Sequence, residues 1–260
     1  MTPPLASSLL SRIEDAGINA SAPTQQRWVD GWLVRFSPGK AKRARCIQAV
    51  AGGRMSVEEK LEICQSIYRE HRLPLVVRVT PFSKPEGLDE HLAALGFERQ
   101  DETCVMVASR VADAPRHPLA ADYRIEPLSH RALADAVGQF RDSPLTQRKA
   151  HAERLETLPV PFHAAAVIGP SGAVAECGQY AIEDRLAGLY DVFTDPAERG
   201  SGLAEGLCRH LMDEARARGA STTYLQVEHA NDVARRLYTR LGFVEAYRYH
   251  YRLMPDRSAA

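Results

Sequence analysis

Apolar residues change their period several times along the chain, and each change marks an element. Leu203, Leu207, Leu211 and Ala215 recur every four residues and predict an amphipathic helix over Ser201–Arg218. Gly219 ends it as a C-cap. Upstream, Tyr123–Pro127 predicts a short strand, and Ser129–Arg141 and Pro144–Leu158 predict helices. Ser129 and Ser143 are the candidate N-caps, and Pro144 suits the first helical position. Three β-rich runs follow, His163–Ile168, Ala173–Glu183 and Leu186–Thr194. The turn GPSG at Gly169–Gly172 and a tight link at Asp184–Arg185 join them as an antiparallel meander. After the long helix come a strand, Thr222–Val227, and a helix, Asp232–Arg240, ended by Leu241-Gly242-Phe243. An extended segment then runs to Met254.

The first half repeats the end of this pattern in weaker form. Val57–His71 predicts a helix, Leu75–Val79 a strand, and Gly87–Leu95 a helix ended by Leu95-Gly96-Phe97. Thr103–Val107 is the strand that follows. Helix, strand, helix, L-G-F, strand therefore occurs in both halves, a diverged internal repeat. The polar, Pro-containing stretch Ser109–Asp122 lacks periodicity and separates two expected domains, 1–112 and 122–256.

Composition narrows the class. The chain has 260 residues, 45% hydrophobic and 25% charged, which is ample for two cores. Lys+Arg and Asp+Glu both number 33, and this neutral total argues against broad capture of nucleic acid or membrane. The five cysteines, Cys46, Cys64, Cys104, Cys177 and Cys208, form no C-x-x-C pair and no Cys/His cluster. They read as reduced, buried thiols of a cytoplasmic protein, with no metal-ligand spacing. The N-terminus has no basic and apolar signal pattern, and no run approaches the roughly 20 apolar residues of a membrane span.

The stretch with most chemical content is Asp195–Gly206, DPAERGSGLAEG. Pro196 ends the strand before it, because proline cannot donate to a ladder. Gly200 and Gly202 permit positive φ and close backbone approach, and a helix starts there with its free N–H groups pointing outward. Such donors and the positive end of the helix dipole bind phosphate oxygens, and Arg199 can add a charge-assisted contact. Gly200, Gly202 and Gly206 also resemble a dinucleotide loop, with Glu228 as a ribose ligand. The antiparallel strands before the loop count against that reading. Arg199-x-x-Gly202-x-Ala204, set between a strand ending in V-x-x-D-P and the long helix, resembles the R/Q-x-x-G-x-G/A signature of the GNAT superfamily of N-acetyltransferases. The order of elements resembles that superfamily over roughly the last 130 residues. The whole chain resembles its tandem type, with a degenerate first unit and a working second one.

That resemblance implies an α/β fold of two GNAT-like units, each a twisted mixed sheet flanked by helices. It implies acetyl-CoA as co-substrate, held by Val192, Phe193, Thr194, Arg199, Gly200, Ser201, Gly202, Leu203, Ala204 and Asn231. A backbone N–H near Val192 or Phe193 would polarise the thioester carbonyl. Asn231 can also cap its helix, and Tyr238 lies seven residues on, two turns along the same face. The resemblance assigns Tyr238 as general acid. A phenol is a weaker acid than a thiol by about 1.5 units, or roughly 2 kcal/mol, so it acts first as hydrogen-bond donor to developing thiolate charge. Aligning the two L-G-F corners sets Leu92 opposite Tyr238 and Pro85 opposite Asn231, so the first unit is expected neither to bind coenzyme A nor to catalyse.

An amine acceptor needs a base, and Asp191 is the first choice, followed by Glu176, with Glu183, Glu228 and His163 as further candidates. Lys40, Lys42, Arg43 and Arg45 are expected on a strand, as a solvated edge or a carboxylate reader, and Trp28 and Trp32 as core anchors. The expected reaction is direct acetyl transfer in a ternary complex to a primary amine of a small molecule or peptide, with no metal. The alternative is an acyl-CoA-binding sensor without turnover.

Overall fold

The computed structural model describes residues 6–37, 41–109 and 119–255. In chain order the elements are α1 (Ser7–Asn19), β1 (Gln26–Val29), β2 (Trp32–Arg35), β3 (Ile47–Gln48), α2 (Val57–Glu70), β4 (Val76–Val79), α3 (Leu88–Ala94), β5 (Glu98–Ala108), β6 (Arg124–Leu128), α4 (His130–Phe140), α5 (Leu145–Thr157), β7 (Phe162–Ile168), β8 (Val174–Glu183), β9 (Leu186–Thr194), α6 (Leu203–Ala217), β10 (Thr222–Glu228), α7 (Asp232–Arg240) and β11 (Val244–Leu253). The chain forms two compact units. One comprises the described residues of Met1–Ala20, Val105–Val227 and Asn231–Ala246, the other those of Ser21–Cys104, Glu228–Ala230 and Tyr247–Ala260. A single cut between residues 112 and 122 thus differs from this division at several segments, Val105–Ala108 and Glu228–Ala230 among them. Helix α1 belongs with the later residues, and the end of β11 with the earlier ones.

In the first unit the strand order is β10-β9-β8-β7-β6. β6 to β9 form the expected antiparallel meander, and β10 pairs parallel to β9 across α6. Leu203, Leu207, Leu211 and Ala215 of α6 are all buried, and Leu207 and Leu211 lie over Gly178 of β8. On the other face Leu133, Val137 and Leu155 of α4 and α5 join Phe162, Ala166 and Cys177 in one core. The Ser129 hydroxyl caps α4 by accepting from the Ala132 N–H at 3.2 Å. Helix α5 begins differently from expectation. Pro144 is its N-cap, because Ser143 closes the end of α4, its N–H donating to the Gly138 carbonyl at 2.7 Å. Helix α1 is held by side chains. Asn19 donates to Glu183 at 2.9 Å and Arg12 pairs with Asp184 at 2.9 Å.

In the second unit the order is β1-β2-β3-β4-β11. Trp32 is fully buried and donates its indole N–H to the Lys84 carbonyl at 3.0 Å. Trp28 is 61% exposed and is no core anchor, because Asp30 and Gly31 turn a tight hairpin that pairs Val29 with Trp32 and leaves Trp28 outside. Lys42–Ala44 is a 3-10 turn, not a strand, closed by Arg45 N–H to Lys42 carbonyl at 3.0 Å. Lys42, Arg43 and Arg45 therefore share no period-2 face, and Lys40 lies outside the described residues.

The repeat holds at atomic detail. Phe97 N–H donates to the Leu92 carbonyl, and Phe243 N–H to that of Tyr238, both at 3.0 Å. Gly96 and Gly242 take the same left-handed conformation, φ +86° and +94°, as this helix cap requires. Leu92 thus occupies in its unit the place of Tyr238. All five cysteines are buried and none forms a disulfide.

Gly188 of β9 leaves no room for a side chain. A Cβ there would lie 2.6 Å from both Tyr190 and Tyr224, whose hydroxyls meet at 2.8 Å. Gly188→Ala should therefore lower the free energy of urea unfolding by about 1–3 kcal/mol. An unchanged midpoint would show that this strand tolerates overpacking.

Candidate active site

The stretch after β9 is built as an open helix start. Asp195 accepts from the Ala197 N–H at 2.9 Å, and Ser201 donates its hydroxyl to the Glu198 carbonyl, which folds the loop back on itself. Gly200 and Gly202 have φ of +86° and +78°, where an L side chain is strained. Neither glycine would meet a protein atom within 4 Å if it carried a Cβ, so backbone conformation, not crowding within the chain, demands glycine here. Gly202 is the N-cap of α6 and supplies no side chain to its N–H groups. Helix geometry leaves the N–H groups of Gly202, Leu203 and Ala204 without an intrahelical acceptor. Arg199 and Ser201 are exposed beside them, Ala204 is half-buried and Leu203 anchors the turn in the core.

β9 carries the second feature. Gln179 faces Tyr190 and Cys177 faces Phe193, so Gly178 of β8 is opposed by both Asp191 and Val192. This is a β-bulge, and Asp191 takes φ +50° within it. Aspartate is among the few non-glycine residues that tolerate this region. The extra residue puts Tyr190, Asp191 and Phe193 toward α4 and α5, while Val192 lies on the α6 side near Gly178. The pairing of β9 with β10 ends at Leu189 and Leu225, just before the bulge. Tyr190 to Thr194 continue half-buried without register to β10, and the two parallel strands part there.

Asp191 is tightly engaged. Gln179 donates to its Oδ2 at 2.7 Å, and His151 Nε2 of α5 lies 3.3 Å from the same oxygen. The His151 contact is at ion-pair distance but short of a directed hydrogen bond. Burial alone would raise the Asp191 carboxyl, but His151, Arg154 and Gln179 together hold it at about 2. A carboxylate of such low proton affinity is a weak base. Nothing in the sequence pattern singled out His151 or Gln179, which come from α5 and β8 and meet Asp191 only through the fold.

The other base candidates separate. Glu183 is occupied by Asn19 and Arg12 of α1. His163 sits beside Tyr180, 5.0 Å between rings, where burial lowers its pKa. Glu228 is exposed at the end of β10. Glu176 is fully buried opposite Thr194 on the α6 face, and neither carboxylate oxygen has a well-directed hydrogen bond. Tyr238 is 9% exposed, its ring edge-on to Phe243 at 5.9 Å. Burial first, then the nearby Cys208 and Glu176, push its phenol well above the ordinary value. The Asn231 carbonyl oxygen caps α7 through the Ala234 N–H at 3.1 Å, the simpler of its two expected roles.

The helix start in the second unit is the opposite of that of α6. Ser56 accepts from Glu59 N–H at 3.2 Å while Glu59 accepts from Ser56 N–H at 2.7 Å, a complete capping box on α2. Just before it Asp30 accepts from the backbone N–H groups of Arg54 and Met55, at 2.8 and 2.7 Å, and pairs with Lys60 at 3.2 Å. The N–H groups of Arg54, Met55, Ser56 and Glu59 are thus met by oxygens of the chain itself.

Glu176 makes stability depend on pH. Burial moves its carboxyl from 4.5 to about 7, so the folded protein holds a proton that the unfolded chain has released across that window. The stabilisation is full below the window and is lost as pH rises through it. Relative to Glu176→Gln, the wild type should lose roughly 2–3 kcal/mol of unfolding free energy between pH 5 and pH 8. A constant difference between the two proteins over that range would mean that the carboxyl titrates normally.

Comparison with known proteins identifies the scaffold. Residues 7–252 match a family model described as "Probable histone acetyltransferase Rv0428c C-terminal". The chain is 26% identical over 237 residues to the uncharacterized N-acetyltransferase YobR of Bacillus subtilis (strain 168), covering 88% of this chain and 92% of that one. In fold it is similar to a GCN5-related N-acetyltransferase from Kribbella flavida, with TM-score 0.71, 17% identity, and 96% and 97% of the two chains covered. A tandem GNAT protein from the clavulanic acid biosynthesis pathway shares the fold at TM-score 0.62 and 15% identity, over 76% of this chain and 70% of that one. The chain belongs to the Rv0428c C-terminal family, within the GNAT superfamily of N-acetyltransferases.

Proposed function

We propose that this protein transfers an acetyl group from acetyl-CoA to a primary amine of a small molecule or peptide, directly within a ternary complex. The observation that carries this reading is the parting of β9 from β10 at the Asp191 bulge, directly before an open, glycine-capped helix start. The N–H groups of Gly202, Leu203 and Ala204 bind the pyrophosphate, with Arg199 as its exposed cation and Gly200 and Ser201 shaping the turn. The pantetheine arm lies along Val192, Phe193 and Thr194, with Asn231 at its side. A backbone N–H at Val192 or Phe193 polarises the thioester carbonyl.

Tyr238 serves the leaving thiolate. A phenol raised by burial gives up its proton still less readily than the roughly 2 kcal/mol gap of the unperturbed groups. Its main contribution is therefore a hydrogen bond to the sulfur as charge develops. Asp191, ionised throughout the physiological range, acts by field rather than by taking the proton. The buried free thiols suit a reducing, cytoplasmic setting. Among the described residues no helix is long and apolar enough to cross a membrane.

Coenzyme A release from acetyl-CoA against a panel of amines tests the reading. Tyr238→Phe should lower kcat at least tenfold and leave the affinity for acetyl-CoA within about twofold, the pattern of an interaction made only in the transition state. Arg199→Ala should instead weaken acetyl-CoA binding, more at low salt than at high. Wild-type protein that binds no acetyl-CoA would sink the assignment of the loop. Titration calorimetry should give one acetyl-CoA per chain, since the α2 start is capped from within, and two would overturn the inert reading of that unit.

A further inference from the structure

We propose that His151 and Asp191 form a catalytic dyad, in which His151 takes the proton from the acceptor amine and Asp191 positions and polarises it. The inference rests on the acyltransferase reading above and adds its missing base.

His151 and Asp191 come from different elements, α5 and β9, and meet at 3.3 Å. Gln179 fixes the shared carboxylate from β8 at 2.7 Å, so Asp191 cannot swing away without breaking that bond. The contact runs through His151 Nε2, a buried atom. With the ring proton on Nε2, the nitrogen beside the ionised carboxylate, the Nδ1 lone pair is the proton acceptor. The ring is 18% exposed, buried enough to be held and open enough to exchange a proton. Arg154, on the same helix as His151, also acts on the Asp191 carboxylate. Gln179 on β8 is neutral, and Arg141, at the end of α4, lies over the Phe193 ring at 4.5 Å.

Its location matches the task. Asp191 is the bulge residue, and Val192 and Phe193, the proposed carbonyl-polarising positions, follow it directly. Adjacent Cα atoms are only about 3.8 Å apart. Phe193, like Asp191, faces the α4 and α5 side, the side from which His151 comes. One proton of the ammonium passes to His151 Nδ1, and the freed nitrogen lone pair forms the C–N bond. The carbonyl electron pair then re-forms C=O and expels the sulfur, breaking the C–S bond. The leaving sulfur, hydrogen-bonded by the Tyr238 phenol, takes up the second proton, shed by the new amide nitrogen, and the phenol ends unchanged. The proton on His151 leaves to solvent, which balances ammonium plus thioester against amide, thiol and one proton.

The test compares wild type, His151→Gln and Asp191→Asn in coenzyme A release with an amine that the wild type acetylates, across pH 5.5 to 9. Acetyl-CoA affinity and melting temperature are measured alongside. His151→Gln should keep acetyl-CoA binding, lower kcat/KM at least tenfold at neutral pH, and lose the acid limb of the wild-type profile. Added imidazole should restore part of the rate to His151→Ala. Asp191→Asn should shift that limb without abolishing turnover. A His151→Gln protein that binds acetyl-CoA and shows the wild-type rate and profile would overturn the dyad while leaving the acyltransferase reading intact. A wild type without turnover on any amine would overturn both.

Discussion

One extra residue in β9 governs the geometry of the first unit. Where Asp191 and Val192 together face Gly178, the strand changes twist and its ladder to β10 stops at Leu189 and Leu225. A regular strand would have continued the ladder, left no gap between the parallel strands and kept its backbone groups paired within the sheet. The bulge also determines which side chains face which layer. It turns Asp191 toward α5, where His151 and Gln179 meet it, and leaves Val192 on the α6 side. The strain of φ +50° at Asp191 is held by that hydrogen-bonded carboxylate.

Electrostatics in this unit is local. The chain has no net charge to draw an anionic ligand from afar. Positive potential is confined to a short arc of backbone donors at the α6 start beside the exposed Arg199. Deeper in, two carboxyl groups near the same strand diverge. Asp191 is held at about 2 by its partners, and Glu176, without such partners, rises to about 7. Environment alone separates an acid that stays ionised from one that holds its proton near neutrality.

Much of this was legible in the sequence, for reasons that can be named. The Leu203–Ala215 stripe, the R-x-x-G-x-A loop and the paired L-G-F corners are local signals, set by helix period and positive φ. With the tight links at Gly169–Gly172 and Asp184–Arg185, they returned the meander, the crossover and the repeat. Helix α1 was not legible, because Ala6 gives it no side-chain cap and its anchors, Glu183 and Asp184, lie far away in sequence. The bulge was not legible either, since one inserted residue leaves the run Leu186–Thr194 looking like any strand. His151 sits on a largely polar helix and acquires meaning only across α5, β8 and β9. The Asp30-Gly31 hairpin was readable from its dipeptide, and reading it would have put Trp28 outside the core.

The capped start of α2 has a consequence for how the two units meet a changing environment. Asp30 is a counter-ion tethered by the chain itself, so its occupancy does not vary with the supply of any metabolite and it cannot be dialysed away. An anion bound at the start of α6, by contrast, stabilises its unit by mass action and only while it is present. Two halves built on the same corner thus differ in what they require. One carries its own anion as a permanent part of the fold, and the other leaves its helix-start donors open to solution.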